Sequence, residues 1–189
     1  MRRILTAGCT AALLAVTTLT GAAPAGAANQ TSRTDPREDV DLVSGNLPSP
    51  AQWRSTDLVR TTVSAAPRRV ALTVRTRATV GAVRARRDVL SMRVTAGSPV
   101  RVLTRRRGGG AWTVVVKARR ATRCAGARVR ENRARRQLRV TVPRRCLPGA
   151  RAGGRLLVDS VQWERRFRPR TRGPRLVDAV GLYQVIDLP

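Results

Sequence analysis

The 189-residue sequence contains no histidine. That single absence removes the usual proton shuttle at neutral pH, the Ser-His-Asp and Cys-His nucleophile systems and histidine-ligated zinc. Aromatic residues are nearly as scarce. Trp53, Trp112, Trp163, Phe167 and Tyr183 are the whole supply, too few for the row of stacking side chains that single-strand nucleic-acid readers use. Lysine is reduced to Lys117, which follows a valine run and belongs to no GxxxxGK loop, and no GxGxxG opens a helix. Acids number 11 against 38 basic residues. Those acids sit mostly in loops or beside arginines, and an arginine neighbour lowers a carboxyl pKa, which works against a general acid for glycoside cleavage. The expectation is a protein that is not an enzyme and uses no cofactor. No helix-turn-helix, zinc finger or RNA-recognition aromatic motif is present, so sequence-specific nucleic-acid recognition is not expected either.

Long apolar runs are also missing after the first 28 residues, so the mature chain should carry no transmembrane segment. Residues 1–28 read as a cleavable export signal: Met1-Arg2-Arg3 supplies a positive start, an apolar stretch follows, and Ala25-Gly26-Ala27 matches a small-x-small cleavage pattern. Removing them leaves 36 basic against 11 acidic groups, a formal charge of +25. It also removes Cys9. Cys124 and Cys146 then remain in a chain bound for an oxidising compartment, where a disulfide is the default. The chain is expected outside the cell, secreted or associated with the wall.

What is present in quantity is period-two alternation. In "VALTVRTRATV", Val70, Leu72, Val74 and Val80 share one parity, opposite Thr73, Arg75 and Arg77. The pattern recurs in Leu90, Met92 and Val94, in Trp112, Val114 and Val116, and in Leu138, Val140 and Val142. One face of each run is apolar and the other charged, as in half-buried strands. Turn signals at Pro67-Arg68-Arg69, Gly97-Ser98-Pro99, Gly108-Gly109-Gly110, Glu131 to Arg135 and Pro148-Gly149 separate the runs. The predicted fold class is all-β: an antiparallel β-sandwich in one domain over residues 51–189, preceded by an extended acidic lead-in over 29–50. Residues 151–189 are the hardest to place, with "RLLVDSVQWERRF" and "LVDAVGLYQVIDL" fitting two further strands.

Between the cysteines, "ARVRE" and "QLRVTV" flank a polar loop centred near residue 135. A Cys124–Cys146 disulfide would therefore close the open end of a hairpin. Strict pairing puts the two cysteines on opposite faces, because Val129 and Val140 differ in parity; Pro143 is placed to break the register and permit closure.

Arginine supplies 37 of the 38 basic residues, which fits two origins. A GC-rich genome enriches arginine wherever a solvated residue suffices, and selection for anion contact does so because guanidinium binds phosphate and sulfate bidentately. Candidate polyanion-binding residues are Arg75, Arg77, Arg93, Arg101, Arg105, Arg106, Arg107, Arg128, Arg130 and Arg139. Arg105 to Arg107 run into the three glycines of a hairpin loop. The acids of "DPREDVD", with Asp57, offer oxygens to calcium, but Asp35, Asp39 and Asp41 do not follow EF-hand spacing. They are expected to pair with the arginine-rich body or to cap turns, and no metal site is expected.

Taken together, "DPREDVD", "WRSTDLVRTTVSAAPRRVALTVRTR" and "CAGARVRENRARRQLRVTVPRRCL" resemble small secreted β-sandwich proteins of actinobacteria, over residues 35–147. The resemblance implies export and the sandwich fold, and carries no activity or site residue. The expected function is a non-enzymatic module that associates with anionic polymers, such as wall teichoic acid, acidic glycan or non-specific nucleic acid. The alternative is a structural or protein-interaction module of the envelope whose charge is genomic background.

Overall fold

Strands of alternating polarity can close a core by pairing two sheets face to face, and that is the arrangement in the computed structural model, which describes residues 29–36, 39–118, 121–169 and 172–189. The expected signal, residues 1–28, lies outside these. The first sheet has the spatial order β1 (Gln30–Thr34), β3 (Leu58–Ala66), β4 (Arg69–Thr76), β10 (Gln137–Pro143) and β9 (Arg128–Asn132). The second has β2 (Asp41–Ser44), β12 (Arg175–Asp187), β11 (Arg155–Arg166), β5 (Arg87–Thr95), β6 (Pro99–Arg107), β7 (Thr113–Lys117) and β8 (Ala121–Arg123). Every pairing is antiparallel. Val70, Leu72, Val74, Leu138, Val140 and Val142 of the first sheet meet Leu90, Met92, Val94, Val158, Val161 and Trp163 of the second in one buried cluster. No helix among the described residues is long and apolar enough to cross a membrane.

The described part of the lead-in belongs to the sandwich. β1 forms an edge of the first sheet and β2 an edge of the second, so the acidic segment crosses from one to the other. A short helix, α1 (Pro50–Thr56), follows. Period-two reading offers no signal for it, but its local chemistry does. Ser49 accepts from the Gln52 N–H at 3.3 Å while Gln52 Oε1 accepts from the Ser49 N–H at 2.8 Å, and Pro50 occupies a first-turn position where no amide donor is needed.

The predicted hairpin forms. Val129 lies opposite Val140, so Cys124 and Cys146 fall one position out of register. Pro143 ends β10, and a 3₁₀ turn, Arg144–Cys146, brings Cys146 round to Cys124 with a Cα–Cα distance of 5.7 Å. Cys124 sits between β8 and β9, where the chain passes from the second sheet to the first. The bond therefore ties the sheet crossover to the end of β10 and fixes the position of the arginine-bearing hairpin. With 22 residues of separation, replacing both cysteines by alanine should lower unfolding free energy by about 3 kcal/mol. Denaturant melts of the oxidised and alanine forms test this, and a difference below about 1 kcal/mol would mean that the reduced hairpin is already held by packing.

The last 40 residues supply two interior strands of the second sheet, β11 and β12. β11 and β12 pair along almost their whole length, and β11 also pairs with β5. Between them and α1 lies a buried ionic network. Arg165 is fully buried; its Nε donates to Asp88 Oδ1 at 2.9 Å, its Nη1 to Ser55 Oγ at 2.5 Å, and its Nη2 to the carbonyls of Val80 and Val83 at 2.9 and 2.8 Å. Asp88 Oδ2 accepts from Arg106, which also donates to Glu131; Glu131 accepts from the Trp112 indole at 3.1 Å. The chain Arg165–Asp88–Arg106–Glu131–Trp112 thus fastens α1 and both sheets together.

Candidate functional site

Side chains on the first sheet that do not enter the core form a face of unusual composition. Register places Arg130 directly opposite Arg139, and Arg139 opposite Thr73. One row along, Gln137 faces Arg75 and Arg75 faces Arg60. Arg128 and Arg69 lie on the same side, by strand parity and register with Thr141 and Pro143. All six arginines are exposed. Threonine, serine, asparagine and glutamine fill the spaces between them. The five strands contain a single carboxylate, Glu131, and it points inward to Arg106 and Trp112.

Like charges directly opposite one another on adjacent strands destabilise a sheet. Arg60/Arg75 and Arg130/Arg139 are two such pairs on one face, with no acid there among the described residues to offset them. Strand spacing sets paired arginines about 5 Å apart across the sheet and same-face neighbours about 7 Å apart along it. This is a lattice of cations suited to a ligand with repeated anions.

The face opens at one end into a groove of about 960 Å³, whose basic lining is Arg54, Arg75, Arg77 and Arg136. Arg75 is common to face and groove. Arg77 is held in place by Asp57, Nε to Oδ2 at 3.1 Å, and Arg136 donates to the Arg77 carbonyl at 2.8 Å. Asp57 itself is fully buried, so the groove presents guanidinium to solvent and keeps its carboxylate behind.

The second sheet also carries arginine outward, in a different setting. Arg175, Arg166, Arg87 and Arg107 follow one another in register across β12, β11, β5 and β6. Glu164 accepts from Arg166 at 2.5 Å and Arg175 at 3.1 Å. These bonds hold its carboxyl below the ordinary glutamate range, even though burial pushes the other way and is the largest single influence. Arg87 has a lowered pKa, first from burial and then from the nearby Arg166 charge. A cleft of about 360 Å³ lies beside it, lined by Arg105, Arg107, Arg123 and Thr113 among others. Arg93, Arg101 and Lys117 form a second row, where Arg101 donates to Ser91 and Gln162.

The ten arginines singled out in the sequence are therefore not gathered into one patch. Arg75, Arg128, Arg130 and Arg139 share the first sheet's face; Arg93, Arg101, Arg105 and Arg107 share the second's, on the opposite side of the sandwich. Arg77 lines the groove but is engaged by Asp57. Arg106 is misplaced in that set: it faces inward, bonded to Asp88 and Glu131 at 2.7 and 2.5 Å, with its guanidinium 4.4 Å from the Trp112 ring centroid. Strand parity predicts this, since Arg105 and Arg107 point outward and the residue between them cannot. Arg60, Arg69, Arg54 and Arg136 complete the first face and its groove. Sequence reasoning missed them because they join it only through long-range pairing.

Aromatic side chains contribute nothing to the first face. Trp163 and Phe167 are buried, Trp53 and Trp112 half-buried, and the exposed Tyr183 lies on β12 of the other sheet. No family model, no curated protein and no solved structure matches this chain.

Proposed function

We propose that this is a secreted, non-enzymatic β-sandwich that associates with anionic polymers of the cell surface or surroundings: wall teichoic acid, acidic glycan or nucleic acid without sequence preference. The observation that carries this reading is the outward face of the first sheet, with six arginines, two directly opposed arginine pairs and, among the described residues, no carboxylate, continuous with an arginine-lined groove. A face without acids repels itself until an anion covers it. The absence of any stacking surface there points to phosphate or sulfate contact rather than base reading.

Binding of the purified protein to duplex DNA and to a sulfated glycan across a salt series tests the proposal. Engagement of four to six phosphates should make affinity fall by about 10² to 10³ between 50 and 200 mM salt. Salt-insensitive binding, or none at low salt, would overturn it.

A second reading, an envelope module for structure or protein interaction whose charge is genomic background, is favoured by one observation: the second sheet's face is basic as well. The two differ in whether the position of a charge matters.

A further inference from the structure

Two acids of the lead-in, Asp35 and Asp39, are in no described ion pair with arginine. Asp35 and Asp39 flank the crossing from β1 to β2, and Asp178 lies on β12, inward-facing; each of the three presents a carboxylate oxygen within 4.8 Å of the other two. Asp35 and Asp178 are 6% and 2% exposed. Asp178 Oδ2 accepts from the Leu58 N–H at 2.6 Å, while Asp178 Oδ1 and Asp35 Oδ2 are buried with no hydrogen-bond partner among the described residues. A buried, partnerless carboxylate oxygen is costly, and here two face the same small space.

The contrast with the rest of the molecule sharpens the point. Asp57, Asp88, Glu131, Glu164 and Asp187 each form an ion pair with an arginine. In a chain so rich in guanidinium, no described ion pair includes Asp35, Asp39 or Asp178. Arg33 acts on Asp35 only at a distance, and Asp57 adds further negative charge from beside the cluster.

We infer that Asp35, Asp39 and Asp178 form a binding site for a hard divalent cation of the calcium type. Carboxylate oxygens are the donors such an ion takes, with water completing six to eight positions. Asp39 is exposed and gives the ion a path in from solvent, while the two buried acids are held by the sheets. The site would clamp the β1–β2 crossing to β12 and so join the two sheets at their edge. Burial, reinforced by Asp178, Asp39 and Asp57, pushes Asp35 up to about 7. Burial also raises Asp178, to about 6, against the Leu58 N–H bond that lowers it.

The test uses the purified protein stripped of metal and held near pH 8, above both of those values, then titrated with calcium chloride by calorimetry and by thermal unfolding. One equivalent should bind, and the unfolding temperature should rise by several degrees through selective binding to the native state. Asp39→Asn removes a charge that repels the two buried acids, so the metal-free unfolding temperature should hold or rise while calcium binds at least about tenfold more weakly. Asp178→Asn keeps an oxygen to accept from Leu58 and should abolish the calcium response. The inference is overturned if the unaltered protein shows neither heat nor a temperature shift with calcium, or if Asp39→Asn binds calcium as the unaltered protein does. Neither readout involves a polyanion, so the result stands apart from the proposed function.

Discussion

Replacing Asp88 by asparagine should lower the unfolding free energy by about 3 to 5 kcal/mol, the usual cost of removing one partner from a buried ion pair. Arg165 is fully buried, and Asp88 is its only carboxylate partner among the described residues. Its pKa is lowered by burial and raised back chiefly by Asp88, so the asparagine form keeps an uncompensated guanidinium in the core. The same substitution withdraws the anion between Arg165 and Arg106, leaving Glu131 to hold Arg106 alone. Urea unfolding followed by tryptophan fluorescence would read the loss directly, because Trp163 and Trp112 both sit on the network, with ring centroids 6.3 Å apart. Replacing the ion pair entirely by apolar residues is often neutral elsewhere, but not here. The Arg165 guanidinium also donates to Ser55, Val80 and Val83, so Asp88→Leu with Arg165→Met would strand the Val80 and Val83 carbonyls, while the Ser55 hydroxyl keeps its bond to the Gln52 carbonyl. That double variant should be no more stable than Asp88→Asn. If it were as stable as the unaltered protein, the Arg165–Asp88 pair would add no net stability, and the loss in Asp88→Asn would come only from leaving Arg165 unpaired.

The same network explains where sequence reading stops. Val70, Leu72 and Val74, and Leu138, Val140 and Val142, alternate without interruption, and their strands and the hairpin between the cysteines are legible directly. In β11 the alternation breaks: Leu156 and Val158 face the core, then a bulge at Asp159 shifts the phase so that Val161, Trp163 and Arg165 do. A parity rule applied across that bulge contradicts itself. Arg165 and Asp178 add to the confusion by pointing inward at positions whose chemistry says outward. Their partners, Asp88 on β5 and Asp35 and Asp39 before β2, are brought near only by the sheet order, which no local pattern encodes. The basic face is legible to a similar depth. Arg130 opposite Arg139 follows from the hairpin alone, whereas Arg75 opposite Arg60, and the placing of β4 beside β10 rather than β5, needs the folded topology. Eight of the ten arginines proposed from sequence do point outward, yet they divide between two faces because alternation reports which side of a strand is solvated and not which sheet the strand joins.

That division makes position testable at constant charge. The variant Arg60→Gln, Arg75→Gln, Arg130→Gln, Arg139→Gln removes both opposed pairs from the first sheet, and Arg87→Gln, Arg93→Gln, Arg101→Gln, Arg107→Gln removes the same number of charges from the second. If the first face is the polyanion site, the first variant should lose about 10² to 10³ in affinity for duplex DNA at 0.1 M salt, with its salt slope shallower by about 4. The second should lose much less, because its cations lie on the far side of the sandwich. Stability should move the opposite way in the first variant. Relieving two like-charge cross-strand pairs should stabilise it by roughly 0.5 to 2 kcal/mol, so weaker binding would accompany a higher unfolding midpoint and could not be blamed on misfolding. Equal losses from both variants would mean that the arginines act as undirected net charge, and the face without acids would then reflect composition rather than a built surface. The second variant relieves two opposed pairs as well, Arg87 with Arg107 and Arg93 with Arg101, so stability should rise in both; a large loss of binding confined to the first is what a surface shaped around an anionic polymer requires.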